Sequence, residues 1–250
     1  MSVFKLPVSL CKDIEMMIRK FWWGNGERKK LHWVKWSTLC SSKSIGGMGF
    51  RDIQDFNKAM LAKQVWRFLN NRESLLFKVF SSKYFPIGNI LEIPIPSKCS
   101  YAWRSILQSR DVINKGAVWR VGDGRKIDIW SHSWLPDVGQ SRVISPRNDA
   151  RVEKVCDLFY PNSKTWDPGL IQHIFYPWEA KKIMRIHVSA VNTEDSLVWP
   201  LTPNGEYLVK SAYRVLAAEA INGLPSSSGG ECSSLWKRIW KIHAPQRIKH

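Results

Sequence analysis

Two-metal nucleotidyl transfer and nucleic-acid hydrolysis need carboxylates placed to hold divalent ions about 3.5–4 Å apart. The sequence contains no Asp-Asp pair, and Glu194-Asp195 is its only adjacent acidic pair. That pair precedes a turn-rich stretch, where neighbouring acids ordinarily sit solvated on an edge. His132 lies between Ser131 and Ser133, but a Ser/His pair without a third group to orient the imidazole is no nucleophile. His32, His173 and His187 stand alone, without the i, i+4 spacing of a helical metal pair. The five cysteines, Cys11, Cys40, Cys99, Cys156 and Cys232, are widely separated and include no C-x-x-C. Neither a complete zinc site nor a secreted disulfide framework is expected from them, and buried free thiols are. The expectation is a non-enzyme: no catalytic residue, no metal ligand set, no cofactor and no small-molecule substrate.

What the residue types do suggest is polyanion binding. The 250-residue chain carries 38 Lys+Arg against 21 Asp+Glu, a formal net charge of +17, and it contains 14 Trp. The excess is concentrated in the first 92 residues and fades over 151–206. A basic surplus of this size points to nucleic acid first and an anionic membrane surface second. Cations alternate with aromatics at Phe21-Trp22-Trp23 before Arg28-Lys29-Lys30, at His32-Trp33-Val34-Lys35-Trp36, and at Trp66-Arg67, Trp103-Arg104 and Trp119-Arg120. Trp236-Lys237-Arg238 with Trp240-Lys241 repeats the pattern. Aromatic faces stack bases while cations meet phosphates. At helical or strand spacing most single Trp residues instead fill a core, which leaves the charge sum unexplained. The expected contacts to RNA or DNA are Arg28, Lys29, Lys30 and Lys35, a second patch of Lys237, Arg238 and Lys241, and Arg120, Arg125 and Lys126 at mid-chain. No run of about 18 apolar residues occurs, so no membrane span is expected. The first residues lack the apolar stretch of a signal peptide, which suggests an intracellular chain, nuclear or cytoplasmic.

The elements that must position these groups read as mainly helical. At mid-chain, however, Val118–Arg120 and Ile127–Ile129 alternate on either side of Gly122-Asp123-Gly124. Side chains alternate along strands and glycine supplies positive φ, so a local β-hairpin over 118–130 is predicted. Helices are predicted from Ser9 to Trp23, over 55–70 capped by Asp52 or Asp55, over 73–84, and from Tyr101 to Ser109. The loop at Ser44–Phe50 lacks the Gly-Lys-Ser/Thr of a phosphate loop and reads as a structural turn. Further helices are predicted over 152–159, 167–175, 177–186 and 211–220. A second hairpin is predicted around Pro203-Asn204-Gly205, with Leu197 and Trp199 on one arm and Tyr207 and Val209 on the other. The fold class is therefore α+β, mainly helical with two short β-hairpins. The expected organisation is a helical region at 1–92, a connector at 93–150, a mixed region at 151–220, a flexible linker at 221–233 and a final helical segment at 234–250. Ending on an amphipathic helix and a basic stub suggests a truncated chain.

The same residues resemble the region after the polymerase domain of plant non-LTR (LINE-type) retrotransposon reverse transcriptases. The shared motifs run in order along nearly the whole chain. They are Met1-Ser2-Val3-Phe4-Lys5-Leu6-Pro7, Phe21-Trp22-Trp23-Gly24, His32-Trp33-Val34-Lys35-Trp36 and Gly46-Gly47-Met48-Gly49-Phe50-Arg51-Asp52-Ile53. Phe56-Asn57-Lys58-Ala59-Met60-Leu61-Ala62-Lys63-Gln64, Lys83-Tyr84-Phe85-Pro86 and Trp103-Arg104-Ser105-Ile106 follow. Trp119-Arg120-Val121-Gly122-Asp123-Gly124 with Trp134-Leu135-Pro136 is the most distinctive. Gly205-Glu206-Tyr207-Leu208-Val209-Lys210-Ser211-Ala212-Tyr213 and Trp236-Lys237-Arg238-Ile239-Trp240-Lys241 complete the set. The resemblance implies a polymerase with its Asp-Asp motif upstream, and downstream a zinc-binding reverse-transcriptase domain, often followed by a ribonuclease H-like domain. It also implies that the first ninety or so residues correspond to the thumb and its extension. Residues from about 205 would open the zinc-binding domain and stop before its ligands. Ser131-His132-Ser133 departs from the Asp-Pro usual before the family's Trp. The role implied is a non-catalytic fragment of the polyprotein that holds RNA or DNA, with the rest of the polyprotein as a partner. A structural connector without nucleic-acid contact, or a degenerate gene fragment, are the alternatives.

Overall fold

The structure is a computed structural model that describes residues 1–23, 34–43, 46–86, 88, 90–136, 141–147, 151–161, 163–188 and 193–222. The expected contacts Arg28, Lys29, Lys30, Lys237, Arg238 and Lys241 lie outside the described residues, as do the linker after Asn222 and the final predicted helix. The chain divides into two compact units, one of Met1–Asn114 with the stretch that begins at Leu208, the other Lys115–Tyr207.

The first unit is helical: α1 (Val8–Trp23), α2 (Trp36–Cys40), α3 (Ile53–Asn70), α4 (Leu75–Tyr84), α5 (Tyr101–Gln108) and, returning after the second unit, α9 (Val209–Asn222). Short polar residues cap three of these helices: the side chains of Asp52, Ser74 and Ser100 accept from the amides of Asp55, Phe77 and Trp103. Such a cap satisfies one of the orphan donors of a first helical turn. α1 instead starts one residue before the expected cap Ser9, where the Cys11 amide already reaches the Pro7 carbonyl. α3 lies against α1, α5 and α9 and buries Leu61, Val65, Trp66 and Phe68. Trp103, fully buried, stacks on Phe85 at 5.4 Å and on Tyr84 at 5.2 Å, while Phe68 meets it edge-on at 5.6 Å. Such offset and edge-on pairs add about 0.5–1.5 kcal/mol each to simple burial.

Two sequence motifs meet in this unit. Asn57, 2% exposed, accepts from the Leu6 amide at 2.9 Å and donates to the carbonyls of Met1 and Phe4. It thereby ties the Met1–Pro7 motif to α3. The Asp52 amide donates to the Tyr213 hydroxyl at 2.9 Å, and Phe56 meets the Tyr213 ring edge-on, which fixes α9 to the start of α3. The glycine-rich stretch before α3 is a turn, as expected: the amides of Met48 and Phe50 both donate to the Leu39 carbonyl.

An additional helix, α6 (Arg110–Gly116), follows α5 across the division between the units, where the sequence predicted none. In the second unit come β1 (Val118–Arg120), α7 (Pro168–Ile174), α8 (Pro177–Ile183) and β2 (Ser196–Val198). The mainly helical α+β class holds, with one two-stranded antiparallel sheet among the described residues. Its pairing is not the predicted local hairpin. β1 pairs with β2, Val118 opposite Val198 and Arg120 opposite Ser196. The other predicted arm turns elsewhere: the Ile129 amide donates to the Glu153 carbonyl and the Val155 amide to the Ile127 carbonyl, with Asp128 bridged to Lys154. Because residues 153–155 are taken up by that pairing, the helix predicted over 152–159 shrinks to one 3-10 turn, Val155–Leu158. The turn of the second predicted hairpin does form. The Trp199 amide donates to the Gly205 carbonyl at 2.8 Å and the rings of Trp199 and Tyr207 meet edge-on. Its second arm is no strand, since Val209 opens α9. The core of this unit gathers Val121, Ile127, Ile129, Trp134, Leu135, Leu158, Ile171 and Ile183, with Trp119 and Trp130 packed against it.

Candidate nucleic-acid interface

The Trp119–Gly124 motif owes its shape to a carboxylate from a distant part of the chain. Asp195, 6% exposed, accepts from the amides of Gly122 at 2.7 Å, Gly124 at 2.9 Å and Lys126 at 2.8 Å. Amides of every second residue converge on one carboxylate, an anion-binding concavity filled by the protein's own acid. Both glycines are needed for this approach. A Cβ on Gly122 would stand 2.4 Å from the Thr193 carbonyl oxygen, and Gly124, at φ +72°, would meet the Cys156 amide nitrogen at 2.5 Å. Glu194-Asp195, expected as a solvated edge, is therefore split in role. Asp195 turns in to clamp the loop, and Glu194 turns out to pair with Lys126 at 2.5 Å.

Asp128 steadies the far end of the loop. Its carboxylate accepts from the amides of Trp130 and Ser131, and its own amide donates to His132 Nδ1 at 3.0 Å. Burial works against the Asp128 charge, but the bonds from Ser131 and Trp130 outweigh it and hold the carboxyl below its ordinary range. The His132 ring stacks on Trp119 at 5.4 Å, so His132 braces the loop through both its ring face and its Nδ1. Trp134 and Trp130 donate through their indole nitrogens to the carbonyls of Ile129 and Ser145.

Of the predicted contacts that are described, Arg125 and Lys126 lie on this clamped loop and Arg120 ends the strand that leads into it, all three exposed, while Lys35 is exposed in the other unit. Arg120 donates to the Ser196 hydroxyl at 3.3 Å and Lys126 is held by Glu194. Arg125 is anchored through its backbone, its amide donating to the Asp123 carboxylate, which leaves its guanidinium at the surface. Beside β1 lies a cleft of about 320 Å³ with mostly apolar walls, bounded by Trp119, Arg120, Trp134, His187 and Pro200. Sequence reasoning took Asp195 for part of a solvated edge and missed its inward role, and it missed Glu179 altogether. Glu179 is completely buried and accepts from the amides of Ile144 and Ser145 and from the Ser145 hydroxyl. No local pattern marks either residue, because the amides they bind lie about 70 and 35 positions away. Among the described residues no group of three or more His, Cys, Asp or Glu could hold a metal ion, and no helix is long and apolar enough to cross a membrane.

No family model and no solved structure matches the chain. Two proteins of Arabidopsis thaliana do. The first is named as an uncharacterized mitochondrial protein; it is 40% identical over 139 residues, which is 55% of this chain and 90% of that protein. The chain belongs to the family of that mitochondrial protein. The second relative, named "Putative ribonuclease H protein", is 32% identical over an alignment that takes in the whole of this chain. The chain spans only 40% of that relative's length. Both relatives are plant proteins, and the two likenesses are consistent with a chain derived from a plant retroelement.

Proposed function

We propose that this chain is a nucleic-acid-holding segment of a LINE-type retrotransposon reverse-transcriptase polyprotein, lying after the polymerase and entering the zinc-binding domain from about residue 205. In this reading it contributes no catalytic group of its own. It grips RNA or DNA through a basic, Trp-rich surface, and the polymerase chemistry belongs to other parts of the polyprotein. The observation that carries the reading is the clamped loop: an internal carboxylate satisfies the loop's amides, so its cations project from a fixed frame. Fixed cations lose less entropy on meeting phosphates than cations on a mobile loop. The net charge of +17 supplies the long-range attraction. Titration of the full chain against labelled RNA and DNA at about 50 and 200 mM salt tests this, since phosphate contacts make log affinity fall linearly with log salt. Arg120→Glu with Arg125→Glu should weaken binding to every sequence alike. No affinity at low salt, or affinity without a salt slope, overturns the reading.

The pairing of Lys126 with Glu194 supports a second reading, in which the loop is a structural connector and its charges serve the fold. Under it, the double Arg variant would leave nucleic-acid binding unchanged.

A further inference from the structure

α8 presents two faces of opposite character. Inward lie Ala180 and Ile183, both buried, and Glu179, whose carboxylate is saturated by residues 144–145. Outward, at i, i+3 and i+4, lie Trp178, Lys181 and Lys182, and Arg185 lies in the turn that follows the helix. Trp178 is 41% exposed, and the Lys182 ammonium stands over its ring at 4.6 Å. Lys181 and Arg185 are exposed, and neither forms an ion pair with a carboxylate among the described residues. The helix thus turns its only acid inward, away from the two lysines of its outer face and from Arg185 in the turn that follows.

An exposed indole with one cation over its ring and two more exposed cations nearby in sequence fits an unpaired base flanked by phosphates. We infer that the outer face of α8 is a stacking platform for single-stranded nucleic acid, with Trp178 carrying one base and Lys181, Lys182 and Arg185 meeting the adjoining phosphates. The inference rests on the nucleic-acid reading above and adds a site and a strand preference to it. Lys182 already occupies the position over the indole that a base would take. On binding, its flexible stem carries the ammonium to a phosphate, so a cation–π contact is exchanged for a base stack and an ionic contact. A duplex keeps its bases stacked internally and offers Trp178 nothing to stack on. An anionic bilayer is the poorer fit, because an interfacial helix needs a broad outward apolar face, whereas within α8 Ala180 and Ile183 are turned inward and Trp178 is its one exposed large hydrophobic, with Tyr176 and Met184 flanking the helix.

The test uses the full chain with a fluorescein-labelled oligo-uridine of about 12 nucleotides and an RNA duplex of the same length. Trp178→Ala should weaken single-strand binding roughly tenfold, the order supplied by one base stack, and duplex binding less than about twofold. Trp178→Phe should recover most of the loss. Lys181→Gln with Arg185→Gln should lower the single-strand salt slope by about 1.4, near 0.7 per cation. If the alanine variant misfolds by circular dichroism, photocrosslinking of a 4-thiouridine oligonucleotide to the unaltered chain decides instead: adducts at Trp178 support the platform and adducts confined elsewhere overturn it. Unchanged single-strand affinity in Trp178→Ala overturns the platform while leaving the broader reading standing. Equal losses on single strand and duplex overturn it too. Capture by phosphatidylserine vesicles without oligonucleotide binding overturns it in favour of a membrane surface. Failure of the unaltered chain to bind any nucleic acid at low salt sinks the broader reading itself.

Discussion

Asp195 holds three backbone amides with one carboxylate, so its loss should be felt well beyond its own contacts. Asp195→Ala would leave the amides of Gly122, Gly124 and Lys126 without their acceptor in a largely dry site. An unsatisfied buried donor costs about 1–3 kcal/mol, so the variant should lose roughly 3 kcal/mol or more in urea unfolding. Gly124→Val should be at least as damaging, because a β-branched residue at φ +72° would also press on Cys156. Normal unfolding of either variant would mean that the clamp is not holding the loop. Asp128 gives a pH signature. Its carboxyl titrates below its ordinary value of 3.8 in the folded chain, so its contribution to stability is present above that value. The contribution is lost as pH falls through the lower folded value. Between about pH 7 and pH 2.5 the urea midpoint of Asp128→Asn should start lower and fall less steeply than that of the unaltered chain. Parallel pH curves for the two would show that the bonds from Trp130 and Ser131 do not favour the charged form.

Elements set by nearby residues were legible in the sequence, and elements set by distant partners were not. Asp52, Ser74, Ser100 and Asp167 cap helices whose starts the sequence had placed within a few residues. A cap acts over three positions and leaves a local trace. The β1 strand was also foreseen, but its partner was not, because Ser196–Val198 lies nearly 80 positions on and the Gly-Asp-Gly turn suggested a nearer one. The turn is real, yet it serves a carboxylate clamp rather than a hairpin. Of the candidate contacts, Arg125 and Lys126 lie on the clamped loop and Arg120 on the strand before it, while Asp195, which shapes the loop, was read from the sequence only as half of a solvated acidic pair. Asn57 falls between these cases, since its motif stood out and its job did not. Asn57→Ala should release residues 1–7 from α3, and the Leu6 amide should exchange with solvent markedly faster while the amides of α3 keep their protection. An unpaired buried group costs about 1–3 kcal/mol, enough to open this segment locally without unfolding the unit. Unchanged exchange at Leu6 would show that the N-terminal motif is held by something else.

At the scale of the whole molecule, charge and local contacts should govern different halves of the binding kinetics. A net charge of +17 acts over the Debye length, about 8 Å at physiological salt and 30 Å at 0.01 M. Under the proposed function it would draw a polyanion in before any side chain is in contact, raising the association rate without selecting a sequence. Stacking on an exposed Trp and fixed guanidinium contacts act only after arrival and slow departure. In stopped-flow mixing with a 20-nucleotide RNA, the association rate should fall by about tenfold or more between 0.01 and 0.15 M salt. Changing Trp178 should leave that association rate nearly unaltered and speed dissociation. The charge-reversed Arg120→Glu, Arg125→Glu chain should differ in kind, with slower association and a shallower dependence on salt. If salt altered only dissociation, the long-range field would have no part in capture, and the basic surplus would need another explanation.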